Sequence, residues 1–382
     1  MIGNEEFDSL DPFIARFVDA LRRDSNIGVS GGAVQISNIK SGCYITLQKP
    51  VRCCDRFKVT IPFAGNTVTW QVIFNCLCPS DPPDFIFDPE DRGFCPRIED
   101  VKSLVDWDAE DKKSLLYVMT ELVERYKEYQ EALLEDMPTL YYEYNALKET
   151  DIYDQIEVFA GRRKTKGADT PVTFLIRLPV DLSAIPPYLI QGDPGEDIAV
   201  LLISFHNVEA SKVLPQLYLS PRVEHAIGGA SHLRIPVFPR DNTLSEYVPH
   251  VKDLLANKVE NVVKSYQKRR EYISAFLSLF GRSVLEYDAE KFAKISILQE
   301  WNDFHFVLHI DIPPHFPREQ PVFTFQSVYH TSSFGKPYHH VQKSYPYSPR
   351  WNCMEMAERA KSFIIGFIPE FRRNSVGSGK LS

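Results

Sequence analysis

The hydrophobic pattern of the chain repeats one short phrase three times: a proline followed by two apolar residues in alternate positions. The three copies are Pro83–Phe87, Pro215–Leu219 and Pro321–Phe325. Alternating apolar residues after a proline are typical of a short strand that begins at a turn. Roughly thirty residues after each copy an amphipathic helix is predicted, beginning near Asp111, Ser245 and Cys353. A unit of roughly 110 to 130 residues exceeds a solenoid repeat and predicts a small domain that is used three times.

The first unit, residues 1–137, reads as helix, meander, proline turn, short strand and helix. Apolar residues at three-and-four spacing predict helices over residues 8–23 and 111–134. Phe63-Ala64-Gly65-Asn66 is a hairpin turn between two alternating runs. The predicted strands are 33–36, 57–61, 67–74 and the strand of Phe85 and Phe87. This order is typical of an α+β domain built on an antiparallel meander.

The third unit, residues 269–382, repeats that order. Helices are predicted over 270–280 and 354–371, with strands at 284–287, 292–298, 304–310 and at Phe323 and Phe325. Pairing Pro83 with Pro321 also pairs Phe85 with Phe323 and Phe87 with Phe325. One proline beside a strand means little, but the same flanking elements in the same order indicate an internal repeat.

The middle unit, residues 138–268, follows the pattern less closely. Strands are predicted at 156–160, 172–178 and 199–205, and a helix from Leu244 to about Lys268. Since neither Gly nor Pro lies between Pro249 and Gly281, this helix is able to continue into the third unit. A polar, tyrosine-rich stretch over 138–151 is a candidate linking helix. Two interpretations stay open: a third domain of the same kind, or a connector of extra strands with one long helix.

Composition narrows the functional classes. The formal net charge of −8 argues against a nucleic-acid surface, because phosphate binding needs clustered Lys and Arg. No apolar run approaches the roughly 20 residues of a membrane span, and the start of the sequence does not resemble a signal peptide. Seven cysteines without disulfide-framework spacing favour reduced thiols in the cytosol or nucleus.

Candidate metal and targeting motifs are weak. His305, His309 and Asp311 come closest to a zinc site, but their spacing is wrong for one. The thiols Cys53, Cys54, Cys76 and Cys78 do not form the two C-x2-C pairs of a structural zinc site, so no metal or cofactor is expected. The basic run 162–166 is either a nuclear signal or a solvated hairpin tip.

At this point a family resemblance emerges. Phe316-Pro317, then Pro321–Phe325, then Tyr329-His330 and Trp351 are similar to the ubiquitin-conjugating (E2) fold. In that family a catalytic cysteine follows about 20 residues after the second proline, where this chain has Val341, and Ser103 in the first unit. The units therefore resemble tandem E2-variant (UEV) or RWD-like domains, which bind without forming a thioester. Cys95 and Cys353 are the nearest thiols, and no catalytic residue is expected.

Across the whole chain the resemblance is to the brain-and-reproductive-organ-expressed (BRE) family. The segments that carry it are 55–58, 82–87, 217–222, 268–273 and 344–351. This resemblance implies a non-catalytic adaptor in the BRISC and BRCA-A deubiquitinase assemblies. The implied partners are a MERIT-like von Willebrand A-type (VWA) subunit, an Abraxas-like scaffold, a JAMM zinc deubiquitinase that cuts lysine-sixty-three-linked chains, and ubiquitin itself.

The resemblance also implies a cytoplasmic and nuclear protein that acts in DNA-damage signalling, mitosis and cytokine-receptor turnover. Alternatives from other classes are an atypical conjugating enzyme with a displaced cysteine and a UEV-type ubiquitin receptor in membrane sorting. Thioester formation with ubiquitin separates the adaptor from the conjugating enzyme.

One loop of the third unit is the predicted partner-binding site. Tyr345, Tyr347 and Trp351 alternate with two prolines just before the last helix, and Tyr329 follows the fourth strand. Tyr and Trp offer large contact areas with a polar tip and are frequent among binding hot spots. Trp351 is equally consistent with a core position at the helix start. UEV relatives accept proline-containing peptides in a nearby groove, so the tail of the MERIT-like subunit is the favoured ligand.

Overall fold

The computed structural model describes most of the chain. The described residues are 10–23, 27–29, 32–42, 54–75, 78–91, 93–150, 152–153, 155–161, 171–186, 195–206, 212–229, 233–239, 242–332, 334–378 and 380–381. Seven α-helices and fourteen strands lie within them. The helices are α1 Pro12–Arg23, α2 Lys102–Val105, α3 Ser114–Leu133, α4 Pro138–Lys148, α5 Pro221–Ala226, α6 Leu244–Phe280 and α7 Cys353–Ser378. None of them is both long enough and apolar enough to cross a membrane.

The strands form three antiparallel sheets. Their bounds are β1 Gln35–Lys40, β2 Arg56–Phe63, β3 Asn66–Ile73, β4 Asp84–Ile86, β5 Ile156–Phe159, β6 Val172–Arg177, β7 Ala199–Phe205, β8 Val213–Leu219, β9 Val284–Tyr287, β10 Lys294–Trp301, β11 Phe304–Asp311, β12 Val322–Thr331, β13 Pro337–Gln342 and β14 Lys380–Leu381. The strand orders are β1-β2-β3-β4, β5-β6-β7-β8 and β9-β10-β11-β12-β13, and β14 pairs with β12. The predicted α+β class with antiparallel meanders is confirmed.

The proline phrase occupies the same place in each sheet. It supplies β4, β8 and β12, each of which is the fourth strand of its meander. Phe85 pairs with Val72, Leu217 with Leu201, and Phe325 with Leu308. Each phrase therefore adds its alternating apolar residues to the third strand of an antiparallel meander, which is the local arrangement that the repeat predicts.

The chain packs into two compact structural units, whose bounds differ from those of the three sequence units; from here on, first unit and second unit mean these two. The first comprises 1–180, 195–220 and 234–254, and the second comprises 181–194, 221–233 and 255–382, so that the boundary falls within α6. The domain limits 137/138 and 268/269 and the UEV or RWD identity of the domains stay predictions.

The core of the first unit draws on both of its sheets. Phe17 of α1, Trp70 of β3 and Tyr126 of α3 are fully buried. The rings of Trp70, Phe94 and Tyr126 contact one another, and the ring of Phe17 stacks on that of Phe74. The same cluster takes in Leu202 of β7, together with Phe159, Leu175 and Val200 of the second sheet. Burial of this much aromatic surface is the main source of stability for such a unit.

The core of the second unit lies between its sheet and two helices. Tyr272 and Phe276 on α6 and Phe371 on α7 pack against one face of the sheet, where Phe306 and Phe325 are fully buried. Along β11 the exposure alternates between buried and half-buried, as the period-2 pattern predicts for a sheet that is covered on one face.

Several predicted boundaries shift. The helix predicted over 8–23 begins at Pro12, and residues 8 and 9 lie outside the described residues. The possibility that the helix beginning at Leu244 continues into the third sequence unit, residues 269–382, is confirmed, because α6 runs unbroken to Phe280. The strands β13 and β14 were not predicted. The basic run 162–166 lies outside the described residues, so its interpretation stays open.

Candidate partner-binding surfaces

The two positions at the spacing predicted for an E2 cysteine, 103 and 341, carry no thiol. Val341 is an exposed residue of β13, and the Ser103 hydroxyl donates to the Glu121 carboxylate at 2.7 Å. Cys353 is buried at the start of α7, where its thiol lies 3.6 Å from the Lys268 carbonyl oxygen and 3.6 Å from the Glu271 carboxylate. Burial raises the pKa of the Cys353 thiol to about 11. A thiol that stays protonated near neutral pH is a poor nucleophile.

The candidate zinc residues are engaged with other side chains. The Nδ1 atom of His309 lies 2.9 Å from the Ser296 hydroxyl, and that of His305 lies 2.8 Å from the Tyr329 hydroxyl. Within the described part of the chain, no group of three His, Cys, Asp or Glu side chains is placed to hold a metal. Cys53 and Cys76 lie outside that part.

The predicted aromatic loop packs onto its own domain. The ring of Tyr345 stacks on Phe323 at 4.2 Å, and its hydroxyl donates to the Pro321 carbonyl at 2.9 Å. The Tyr347 hydroxyl donates to the Pro317 carbonyl at 2.5 Å. Burial raises the pKa of both hydroxyls, so they remain donors across the physiological range. Both rings are half-buried, so one part of each remains available to a partner.

The other two predicted residues lie apart in the fold. Trp351 precedes α7 and is half-buried beneath the Arg359 guanidinium, whose carbon lies 4.1 Å from the ring centroid. Tyr329 is 36% exposed on β12, and its hydroxyl lies near His305 and the Asp303 carbonyl oxygen. Partner contact by these four residues stays a prediction.

A groove in the second unit was missed by the sequence analysis. It has a volume of about 500 Å³ and lies between the β10–β11 hairpin and the last turns of α7. Its lining is Trp301, Pro369, Arg372, Arg373, Val376 and Gly377. The Arg372 guanidinium lies 5.9 Å from the Trp301 ring and 5.8 Å from the Phe304 ring. Both distances lie within the range of a cation–π contact, which favours a position of the guanidinium beside the hairpin.

No carboxylate of the described residues forms an ion pair with Arg372 or Arg373. Both arginines are exposed, and Val376 beside them is 59% exposed. Two exposed guanidinium groups beside an indole and an exposed aliphatic side chain suit an acidic group that is flanked by an apolar residue. The sequence signal for this surface was Trp301 in a tight turn together with paired arginines on a helix.

The first unit contains a hairpin of similar geometry, β2–β3, whose tip is bound by a buried side chain. Both hairpins have two central residues at positive φ, 45° and 76° in β2–β3 and 46° and 64° in β10–β11. These residues are Ala64 and Gly65 in the first hairpin and Asn302 and Asp303 in the second. Ala64 is fully buried, whereas Asn302 and Asp303 are exposed.

A buried carboxylate holds the tip of the β2–β3 hairpin. Glu157 of β5 is only 2% exposed and accepts the Ala64 N–H at 2.9 Å and the Val29 N–H at 2.6 Å. The Thr173 hydroxyl donates to the Ala64 carbonyl at 2.6 Å. Burial raises the pKa of Glu157, which the two N–H groups and Lys127 partly offset. A carboxylate is therefore a fitting ligand for a hairpin of this geometry.

Comparison with known proteins gives a consistent result. A family model described as brain and reproductive organ-expressed protein (BRE) matches residues 8–331. A relative from Branchiostoma floridae named "BRISC and BRCA1-A complex member 2" is 51% identical over 380 residues, which cover 99% of each chain. A relative of the same name from Danio rerio is 47% identical over 377 residues, or 97% of each chain.

Proposed function

Because this chain belongs to the brain and reproductive organ-expressed protein family, we propose that it is a non-catalytic adaptor subunit of BRISC-type and BRCA1-A-type deubiquitinase assemblies. In this role it joins a MERIT-like VWA subunit to an Abraxas-like scaffold and a JAMM protease that is specific for lysine-sixty-three-linked ubiquitin chains. It works in the cytoplasm and in the nucleus, and DNA repair is its main nuclear context.

One observation carries the proposal. Three antiparallel meanders use the same proline phrase as their fourth strand, in a chain whose relatives are named as complex members. This architecture supports tandem UEV or RWD-like domains. The raised pKa of the buried Cys353 thiol and the absence of a thiol at position 341 support a binding role over transfer chemistry.

The groove beside the β10–β11 hairpin is the site that we assign to a partner peptide, with the tail of the MERIT-like subunit as the favoured ligand. The tyrosine hydroxyls of the 345–347 loop already bind carbonyls of their own domain, whereas Arg372 and Arg373 have no described acidic partner. By analogy with Glu157 at the first hairpin, a carboxylate of the peptide would lie near this tip. Trp301 would pack against the residue beside that carboxylate.

Reconstitution tests the proposal. Co-expression of the full chain with the VWA, scaffold and protease subunits is expected to give one stable assembly on size exclusion. Arg372→Ala is expected to weaken retention of the VWA subunit by about 10- to 100-fold, as for loss of a charge-assisted hydrogen bond. The exposed Arg282, between α6 and β9, supplies the matched control, Arg282→Ala. An assembly that never forms contradicts the adaptor role, and equal retention by both variants contradicts the assignment of the groove.

A further inference from the structure

The strand β8 is an open edge. In the sheet order β5-β6-β7-β8 it pairs only with β7 among the described residues. It contains seven residues, none of which is charged. A long, uncharged edge strand presents a row of backbone donors and acceptors that another strand is able to bind.

The backbone register shows which groups point outward. The His206 N–H donates to the Lys212 carbonyl at 3.1 Å, and the Ser220 N–H donates to the Ile198 carbonyl at 3.0 Å. Hydrogen-bonded pairs alternate along an antiparallel ladder. The same period therefore directs the backbone groups of Leu214, Gln216 and Tyr218 toward β7. The outward groups are the carbonyls of Val213, Pro215, Leu217 and Leu219 and the N–H groups of Val213, Leu217 and Leu219. Pro215 has no N–H group.

The side chains of β8 leave apolar surface uncovered. Leu214 is 43% exposed and Tyr218 is 54% exposed on one face. The other face of β8 is half-buried at every position, whereas the adjacent strand β7 is buried on both faces except at Ser204. The elements that bury both faces of β7 therefore cover β8 only in part. One more strand beside β8 would extend the apolar surface on both faces of the sheet.

The other sheet edges carry features that discourage pairing. The strand β4 has three residues and follows Pro82-Pro83, and β5 is four residues long and fully buried. The register shifts within the pairing of β1 and of β9. The strand β13 begins at Pro337 and carries His339 and Gln342. Short length, burial, bulges and polar residues are the usual protections of a sheet edge.

We infer that β8 receives an extended segment of another subunit as a fifth strand of its sheet. The segment is uncharged at its centre and has alternating apolar side chains, because charges placed beside Leu214 and Tyr218 would lose solvation without a counter-charge on the strand. A second copy of this chain fits less well, since antiparallel self-pairing places a Pro215 without an N–H on both strands.

This inference rests on the proposed adaptor function, and hydrogen exchange on the full chain, alone and in the reconstituted assembly, tests it. The amides of Val213, Leu217 and Leu219 are expected to exchange at least about tenfold more slowly in the assembly. The amides of Leu214, Gln216 and Tyr218 already bond to β7 and serve as an internal control. Equal exchange of the outward amides in the free chain and in an intact assembly overturns the inference and leaves the adaptor role standing.

Charged variants give a second readout. Leu214→Lys combined with Tyr218→Lys is expected to weaken assembly by at least about tenfold, because lysine on an edge strand blocks pairing. Ile98→Lys combined with Val105→Lys is the matched control, at 63% and 61% exposure in the same unit. Thermal melts of the free chain verify folding of both. If the folded β8 variant assembles as well as the unchanged chain, the inference is wrong. It is also wrong if the free chain associates with itself and the β8 variant does not, because β8 then binds a second copy of the chain.

Discussion

Replacement of Glu157 by alanine is expected to destabilise the first unit strongly. The carboxylate accepts two buried N–H groups, those of Val29 and Ala64, at 2.6 and 2.9 Å. Each donor left without an acceptor costs about 1–3 kcal/mol, so the pair costs about 2–6 kcal/mol. Removal of a buried carboxylate that resists ionisation offsets part of this loss, which leaves about 2–4 kcal/mol. For a unit of this size that corresponds to a fall in Tm of about 4–16 °C.

Scanning fluorimetry and urea unfolding of the full chain measure this loss. Glu157→Gln keeps one carbonyl acceptor and is expected to lose about half as much stability. Glu196→Ala is the surface control, because this carboxylate is 64% exposed and its loss is expected to change stability by at most about 0.5 kcal/mol. If Glu157→Ala unfolds within about 2 °C of the unchanged chain, the two hydrogen bonds do not stabilise the hairpin as argued.

The pH dependence of the same comparison tests the electrostatic argument. Burial raises the pKa of Glu157 above its ordinary value of 4.5, with Glu124 acting in the same direction and Lys127 against it. A raised native pKa means that the stabilising contribution is fully present below pH 4.5 and is lost as the pH rises through the native pKa. The stability advantage of the unchanged chain over Glu157→Gln is therefore expected to shrink as the pH rises from 4.5 toward neutrality. A difference that grows over that interval contradicts the assigned direction of the shift.

Three further outcomes are expected. Gly65→Ala should lower the free energy of unfolding by about 1–2 kcal/mol, because Gly65 has a φ of +76° and an added Cβ would lie 2.5 Å from a methyl of Leu202; an unchanged urea midpoint would contradict this. Tyr345→Ala combined with Tyr347→Ala should lower Tm by several degrees, and if the folded variant retains the VWA subunit at unchanged affinity, the predicted partner contact of this loop is wrong. The chain should form no reducible ubiquitin adduct with an activating enzyme, and an adduct that Cys353→Ser removes would contradict the adaptor role.

Local patterns predicted the elements well where burial is periodic. The strands predicted at 199–205 and 304–310 are observed as β7 and β11, because a continuous or an alternating apolar run indicates both the period and the approximate ends of a strand. The strand β13 was missed because Pro337–Gln342 has no apolar alternation. It is a strand through its pairing with β12, and a tertiary contact of this kind leaves no local signal.

The site residues were predicted less well for the same physical reason. The aromatic run at 345–351 suggests a contact surface, yet the hydroxyls of Tyr345 and Tyr347 bind carbonyls 24 and 30 positions earlier in the chain. Glu157 gave no signal at all, since its two donors lie 93 and 128 positions away. Composition shows which residue types are able to bind, but whether they are already occupied depends on distant segments.

The two proposed contact surfaces differ in how they should respond to salt. The groove presents the exposed guanidinium groups of Arg372 and Arg373, so its attraction for a carboxylate is screened as the Debye length falls from about 10 Å at 0.1 M salt to about 3 Å at 1 M. The edge of β8 offers backbone groups and uncharged side chains, whose pairing is nearly independent of ionic strength. A salt titration of the reconstituted assembly should therefore release the peptide held by the groove while the outward amides of β8 stay protected. Simultaneous loss of both contacts would show that they are not independent. If the outward amides of β8 lose their protection at a lower salt concentration than the groove loses its peptide, the proposal that the groove is the charge-dependent contact is wrong.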